Sequence, residues 1–252
     1  MDSYHIERDN KGHCAIINIT DYQGLCPNRD VNDGRLMRNL FTSLGFKVTL
    51  TDGFVRTQRI IDVLQGVRDQ IGHSDQIFVA VIMAHGARGK IKSCDKDVEL
   101  KKILEIFNNS NCPTLRGKPR LFFIQACQVE RHDEREPQRT ASDENIYWNC
   151  DVDLYKDCLL SLATPPGFVA WRHRDKVTYL SALRSVFTQN INDRKDGSSP
   201  PDITELLSTV ASKVAYELEA LDTEESEKKM KQMPYFMSAL TKKLILTPGK
   251  AS

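Results

Sequence analysis

A cysteine and a histidine each follow a strongly apolar run of the sequence. Cys127 comes directly after LFFIQA, and His85 comes directly after IFVAVIMA. If such runs form neighbouring parallel strands, their carboxyl ends meet at one edge of the sheet, where diverging loops leave room for a ligand. A histidine at that edge can accept the proton of the thiol, and the thiolate can then attack a carbonyl carbon. The pair therefore indicates acyl-transfer chemistry.

Gly86 follows the histidine at once and could supply part of an oxyanion site. Because glycine lacks a Cβ, its backbone N–H can approach a developing negative charge closely, and the N–H of Cys127 is a natural second donor. The alternative is that Cys127 is a small buried hydrophobic residue, which is the commoner role of a lone cysteine on a strand. The cysteine alone does not decide between these two interpretations.

The composition excludes several classes of protein. The chain has 252 residues, enough for one α/β unit with a large core. Its 35 Lys plus Arg against 34 Asp plus Glu give a net charge of +1, so the broad positive field of a nucleic-acid-binding protein is missing and no nucleic-acid partner is expected. There is no run of about 18 apolar residues and no apolar secretory leader, so no membrane partner is expected either.

The cysteines and histidines do not form metal-binding patterns. The seven cysteines are odd in number, widely spread and never arranged as C-x-x-C, which argues against a disulfide framework and a zinc cage. A reducing compartment follows, so we expect a cytoplasmic protein. The six histidines show no ligand spacing with cysteines, and no GxxxxGK[ST] phosphate loop occurs. We therefore expect no metal and no organic cofactor.

Apolar runs bounded by turn signals alternate with helix-period segments, which predicts a repeated strand-then-helix order. The predicted strands are 13–19, 46–51, 75–86, 118–127, 158–168, 169–171 and 236–246. The predicted helices are 33–46, 54–72, 97–109, 179–191 and 202–221. This order implies an α/β fold with a parallel sheet and helices on both faces. Residues 130–151 are mostly charged or polar without a sustained period and predict an exposed linker.

Several stretches together resemble the caspases, cysteine proteases that cut after aspartate. FFIQACQ matches the family signature Q-A-C-[RQG]-G except in its last letter, and MAHGARG is similar to the family's S-H-G-x-x-G. GHCAIINI resembles the opening strand of the family, and LATPPGFVAWR resembles its A-T-x-P-G-x-x-S-W-R. These matches follow the family's order along nearly the whole chain. The resemblance implies a three-layer α/β sandwich around a mostly parallel, six-stranded central sheet.

The resemblance also implies roles for the reactive residues. Cys127 would attack peptide bonds after aspartate and form an acyl-enzyme, His85 would transfer protons, and Gly86 would hold the oxyanion. The chain has Val129 where the family usually has glycine, which costs of the order of 1 to 3 kcal/mol if that position needs a positive φ. Because this change leaves the thiol and the imidazole untouched, we expect an active enzyme. The alternative is a weakened pseudocaspase that binds or regulates an active caspase.

The resemblance places Arg172 and Gln125 in the pocket for the substrate aspartate. A guanidinium suits a buried carboxylate because it offers paired donors in a fixed plane. The family has a second arginine in R-x-G-T-x-x-D, whereas this chain has NRDVND, which lacks the Gly-Thr and is two residues shorter. Arg29 is the nearest candidate there, and an ordinary solvated arginine is the alternative.

Upstream substrate positions would be held by the segment around Arg172. The backbone of Ala170 and Arg172 would pair with an extended peptide, and Val169 and Trp171 would offer apolar walls. Trp171 could instead be a core residue. Tyr179 stands near the position where the family often has a tryptophan, and it is the last candidate for contact with substrate.

The resemblance divides the single catalytic domain into a large-subunit region at 1–130, an intersubunit linker at 131–152 and a small-subunit region at 153–252. A zymogen activated by cleavage in the linker is expected, and the candidate processing sites are Asp133, Asp143, Asp151 and Asp153. The expected partners are proteins or peptides with aspartate at the cleaved position, a second copy of the chain paired through the last strand, and an adaptor bound through a prodomain that this sequence does not include. A role in apoptosis or related signalling is implied. FFIQACQ is typical of initiator caspases and SALTKKL of executioner caspases, so both types stay open.

Overall fold

The computed structural model describes residues 2–8, 11–24, 32–128, 152–165, 170, 179–192, 199–220 and 232–249. The strands are β1 (Gly12–Ile19), β2 (Lys47–Gly53), β3 (Ile77–Met83), β4 (His85–Ala87), β5 (Lys90–Lys92), β6 (Asp97–Glu99), β7 (Arg120–Gln125), β8 (Cys158–Leu162) and β9 (Tyr235–Ser238). The helices are α1 (Asn32–Ser43), α2 (Thr57–Gln70), α3 (Leu100–Glu105), α4 (Tyr179–Asn192) and α5 (Ile203–Ala220), with a 3-10 turn at Pro113–Leu115.

Six strands form the central sheet in the order β2-β1-β3-β7-β8-β9. The pairs from β2 to β8 are parallel, and β9 runs antiparallel to β8. The expected mostly parallel, six-stranded α/β architecture is therefore confirmed. The chain passes from β1 to β2 on one side and then to β3 on the other, so a topological switch point lies between β1 and β3, where α/β proteins commonly bind ligands.

The central strands are buried on both faces because their side chains alternate between two apolar clusters. On β3, Val79 and Val81 belong to one cluster, whereas Phe78, Ala80 and Ile82 belong to the other. Such strands read as continuous apolar runs, as expected for a parallel sheet covered on both sides. This is why β3 and β7 could be identified from the sequence.

Helices cover both faces of the sheet and complete three layers. The first cluster receives apolar side chains from α1, α4 and α5, namely Met37, Leu40, Phe41, Leu183, Phe187, Leu207, Val210 and Val214. The second cluster receives side chains from α2 and α3, namely Ile60, Leu64, Val67, Leu100, Ile103 and Leu104. Burying these side chains is the main free-energy gain on folding, at roughly 25 cal/mol per Å² of apolar surface.

Three elements differ from the sequence-based prediction. The strand predicted at 158–168 ends at Leu162. The helix predicted to start at 97 starts at Leu100, because Asp97–Glu99 pairs with β5 in a small antiparallel sheet of β4, β5 and β6. The last strand, predicted at 236–246, ends at Ser238. The Ala239 N–H donates to the carbonyl of Cys158, the first residue of β8, so the chain beyond it runs past the end of the sheet.

Some predicted segments lie outside the described residues. These are the linker at 130–151 and, apart from Ala170, the strand at 169–171. The division of the chain into a large and a small region therefore stays a prediction.

Candidate active site

The register between β3 and β7 places His85 and Cys127 at the same edge of the sheet. Met83 is the register partner of Gln125, and the Ala84 N–H donates to the Gln125 carbonyl at 3.1 Å, so the pairing continues beyond both strands. His85 and Cys127 each lie two residues beyond that last register pair. The sequence-predicted nucleophile and base thus extend from neighbouring strands at their carboxyl ends.

The surroundings of Gly86 show how closely the loop after β3, which carries His85, approaches the loop after β7, which carries Cys127. An ideal Cβ at Gly86 would lie 2.9 Å from both the Ala126 Cβ and the Cys127 carbonyl oxygen. The His85–Gly86 backbone is therefore packed directly against the Ala126–Cys127 backbone. The two amide groups predicted to hold an oxyanion, those of Gly86 and Cys127, belong to these two contacting segments.

Cys127 is the only cysteine in the described part of the chain that is not buried. Burial raises the pKa of the thiols of Cys14, Cys94 and Cys158, which makes them poor nucleophiles. The Cys127 Sγ lies 3.8 Å from the Ala170 carbonyl oxygen and donates to it. Ala170, the one described residue of the segment predicted to pair with a peptide, is therefore next to the thiol.

His85 is anchored by a residue that the sequence analysis missed. Its backbone N–H donates to the hydroxyl oxygen of Tyr22 at 2.9 Å. The two rings contact each other, with centroids 4.9 Å apart and planes inclined by 58°. An aromatic residue shortly after an apolar strand is usually a core residue, so only the position of β1 beside β3 in the sheet could have indicated this contact.

Gln128 was also missed, and it connects the chain that follows Cys127 to the turn that follows His85. Its side chain is buried, and its Oε1 accepts a hydrogen bond from the Gly89 N–H at 3.1 Å. Gly89 closes the turn between β4 and β5 and has a φ of +66°, a value that glycine adopts without strain. Gln128, which follows Cys127, therefore holds the β4–β5 turn, which follows His85.

Gln125, predicted to contact the substrate aspartate, is the last residue of β7 and is 2% exposed. Within the part of the chain that the structure describes, its Oε1 is buried without a hydrogen-bond partner. A buried carboxamide oxygen without a partner carries a desolvation cost of about 1 to 3 kcal/mol. A hydrogen-bond donor from a ligand or from another segment of the protein would therefore be favoured here.

The prediction for Tyr179 needs correction. Its side chain is fully buried in the first apolar cluster, and its hydroxyl donates to the Ser161 Oγ at 2.7 Å. Burial also raises the pKa of this phenol. Because the side chain has no exposed surface, it packs α4 against β8 and offers no wall to a peptide.

Several other predicted site residues lie outside the described residues, namely Arg29, Val169, Trp171, Arg172, Asp133, Asp143 and Asp151, and so does Val129. Asp153 is described and exposed. No group of three His, Cys, Asp or Glu side chains that could hold a metal occurs among the residues that the structure describes. Within the same residues, no helix combines the length and apolarity needed to cross a membrane.

An α/β sheet with a thiol and an imidazole at neighbouring strand ends defines a cysteine-hydrolase type of site, and comparison with known proteins makes the class specific. Residues 11–245 match the family model described as the caspase domain. The chain belongs to the caspase family of cysteine peptidases, whose members act on proteins and cleave after aspartate.

Curated relatives agree with this assignment. The chain is 28% identical over 247 residues to caspase-3 of Mus musculus, covering 96% of this chain and 86% of that protein. It is 28% identical over 249 residues to caspase-3 of Felis catus, with the same coverage. Caspase-3 of Mesocricetus auratus is 27% identical over 248 residues, covering 96% of this chain and 86% of the relative.

Proposed function

We propose that this protein is an active, aspartate-specific cysteine endopeptidase. The observation that carries the proposal is the contact between the His85–Gly86 segment and Cys127 at one sheet edge, with Cys127 the one described cysteine that is not buried. A buried structural cysteine would need neither an accessible thiol nor a histidine on the adjacent strand. The family assignment adds the reaction class.

The reaction follows from the groups at this edge. The imidazole of His85 takes the thiol proton, and the Cys127 sulfur forms a bond to the carbonyl carbon of the peptide. The amide groups of Gly86 and Cys127 stabilise the negative oxygen. The imidazolium then gives its proton to the leaving amine as the C–N bond breaks, which leaves a thioester. Water, deprotonated by the imidazole, attacks the thioester and releases the carboxylic acid and the thiol.

Selectivity for aspartate is assigned to Arg172 and Gln125, with Arg29 as the additional arginine. Each charge-assisted hydrogen bond to the substrate carboxylate contributes about 1.5 to 3 kcal/mol. Gln125 would donate to the substrate carboxylate through its side-chain NH2 group, since its Oε1 can only accept. A pocket with one arginine would still select aspartate but would bind it less tightly.

The peptide would bind as an extended strand along Ala170 and Arg172, with Val169 and Trp171 as apolar walls. The proximity of the Ala170 carbonyl to Cys127 supports this arrangement. In the free protein that carbonyl accepts from the thiol. A substrate amide bound there would replace the thiol as donor and leave the sulfur free to react.

Maturation and assembly complete the proposal. Cleavage of the linker at 131–152, at one of its aspartates or at the exposed Asp153, would convert a zymogen with regions 1–130 and 153–252 into the mature enzyme. The strand β9 lies at one edge of the central sheet and could pair with the same strand of a second copy around a two-fold axis. We assign the enzyme to apoptosis or related signalling in the cytoplasm.

The second candidate function is a pseudocaspase that regulates an active caspase. The observation that favours it is Val129, which replaces glycine directly after Gln128, a residue on which the reactive loops depend. Loss of function by this route would leave the Cys127 thiol and the His85 imidazole present but misplaced.

A labelling experiment with the full chain distinguishes the two functions. A peptide ending in an aspartyl electrophile is expected to label the protein at a single site, and Cys127→Ala is expected to abolish the labelling. Cys112→Ala, which changes a buried cysteine, serves as the matched control and should retain it. A folded wild-type protein that is not labelled and does not cleave aspartyl peptides would support the pseudocaspase.

A further inference from the structure

Tyr22 lies in the loop that follows β1, next to the switch point between β1 and β3. Its side chain is fully buried in the second apolar cluster. Its hydroxyl nevertheless makes specific hydrogen bonds. It accepts from the His85 N–H at 2.9 Å and donates to the Lys92 carbonyl oxygen at 3.3 Å.

The two partners of this hydroxyl face each other across a short ladder. His85 and Lys92 are the terminal register pair of β4 and β5. The Tyr22 hydroxyl connects the N–H of one to the carbonyl of the other, so it completes the end of this ladder. It thereby fixes the backbone of the histidine at the residue where β4 begins.

The hydroxyl of Tyr22 contacts the His85 backbone, and the ring of Tyr22 contacts the His85 imidazole. The centroid distance of 4.9 Å and the inclination of 58° place the two rings in tilted contact. Aromatic pairs of this geometry contribute about 0.5 to 1.5 kcal/mol beyond the burial of their area. The contact limits the directions in which the His85 side chain can turn.

The loop that carries Tyr22 is itself held at the two residues that precede Tyr22. The Thr20 N–H donates to the Gly53 carbonyl at the end of β2 at 3.0 Å. The Cys94 thiol donates to the Asp21 carbonyl at 3.0 Å and accepts from the Val55 N–H at 3.2 Å. The segment leading to Tyr22 is thus anchored by Gly53 and Cys94, neither of which belongs to the loop of His85 or the loop of Cys127.

We propose that Tyr22 is a positioning residue for His85: its hydroxyl fixes the histidine backbone, and its ring sets the orientation of the imidazole toward Cys127. This inference rests on the proposed function, since it assigns a role within the same site. A proton acceptor displaced by about 1 Å can lower a rate by up to about 100-fold. The contribution of Tyr22 is therefore expected in kcat, because the residue is buried and does not contact substrate.

Tyr22→Phe tests the inference because it keeps the ring and removes only the hydroxyl. The expected result is a fall in kcat of about 10-fold or more, with KM changed less than about twofold. Tyr179→Phe is the matched control, since it removes the hydroxyl of another fully buried, hydrogen-bonded tyrosine that packs in the opposite cluster. That control should retain the wild-type kcat.

A second measurement keeps the inference independent of activity. Hydrogen exchange at the His85 amide should become faster by about 10-fold or more in Tyr22→Phe and stay unchanged in Tyr179→Phe. An active wild-type enzyme with unchanged kcat in Tyr22→Phe would overturn the inference. Unchanged exchange at the His85 amide would overturn it too, even if the wild-type chain proved inactive and the proposed function had failed.

Discussion

Gly86 is confined by its neighbours. An ideal Cβ at this position would lie 2.7 Å from the Lys90 carbonyl oxygen, as well as 2.9 Å from the Ala126 Cβ and the Cys127 carbonyl oxygen. Two of these three contacts are with backbone atoms that cannot rotate away. Glycine is required here because a Cβ has no room, and not because of the backbone conformation. The same close contact couples the loop of His85 to the loop of Cys127.

Gly86→Ala is therefore expected to separate the two loops. We expect kcat/KM to fall by about 100-fold or more, since the displaced amide can no longer reach the oxyanion. Steady-state hydrolysis of an aspartyl peptide measures this. Wild-type kcat/KM in Gly86→Ala would contradict the role of this amide.

Gly66→Ala is the matched control for that substitution. Gly66 lies inside α2, and a Cβ there would meet no atom within 4 Å. Alanine is favoured over glycine in a helix interior, so the free energy of unfolding should rise by about 0.5 to 1 kcal/mol while activity stays unchanged.

At the scale of the elements, α4 is attached to the sheet at its first residue. Tyr179 begins this helix, and its hydroxyl donates to the Ser161 Oγ on β8. The helix also packs against α1 and α5 in the first apolar cluster. The contact orders the start of α4 directly after the segment to which substrate binding is assigned.

Tyr179→Phe should lower the free energy of unfolding by about 1 kcal/mol, because it removes one buried hydrogen bond. KM and the preference among peptides varied upstream of the cleaved aspartate should not change, since the side chain has no exposed surface. Urea unfolding and a peptide panel measure the two quantities. Tyr216→Phe, at a tyrosine that is 71% exposed, is the control and should leave stability within about 0.5 kcal/mol of wild type. An altered peptide preference in Tyr179→Phe would restore the original prediction.

At the scale of the whole molecule, a group of charged residues lies at the sheet edge opposite the reactive residues. His13 near the start of β1 is almost fully buried, and its Nε2 lies 3.7 Å from the Asp75 Oδ2. Lys47 lies 3.7 Å from the other oxygen of this carboxylate, and Lys118 donates to the Asp75 carbonyl. Burial lowers the pKa of His13, while the charge of Asp75 partly opposes that shift.

The lowered pKa makes stability depend on pH. The unfolded chain binds a proton at His13 near pH 6.5, whereas the folded protein does so only at lower pH. The stability contributed by the neutral imidazole is therefore present above pH 6.5. It decreases as the pH falls below 6.5 and stops decreasing once the pH is below the pKa in the folded protein.

His13→Gln is expected to reduce the loss of stability between pH 7.5 and pH 5.5, which urea unfolding at several pH values measures. His5→Gln is the control, because the His5 side chain is 86% exposed. An equal pH slope in wild type and His13→Gln would show that other groups carry the acid sensitivity.

Much of the fold could be predicted because the signals are local. The apolar runs that became β1, β3 and β7 are continuous because each strand is buried on both faces. The strands of the small antiparallel sheet, three residues each, are too short to show a period, and β6 was read as the start of a helix. Tyr179 was assigned to substrate because it stands near the position where the family often has a tryptophan. A position along the chain does not say which way the ring points, and in the structure the ring is buried.

The amino-acid sequence alone determined the order of the long strands and helices, the placement of Cys127 and His85 after two of those strands, and the family. Each of these is carried by residues close together along the chain. Only the tertiary structure decided that Tyr22 supports His85, that Gln128 holds the turn at Gly89, and that Tyr179 is a core residue. The first two are contacts between residues far apart along the chain. The third depends on which face of the helix α4 is buried. They depend on the strand order and register of the folded sheet, which no short stretch of sequence encodes.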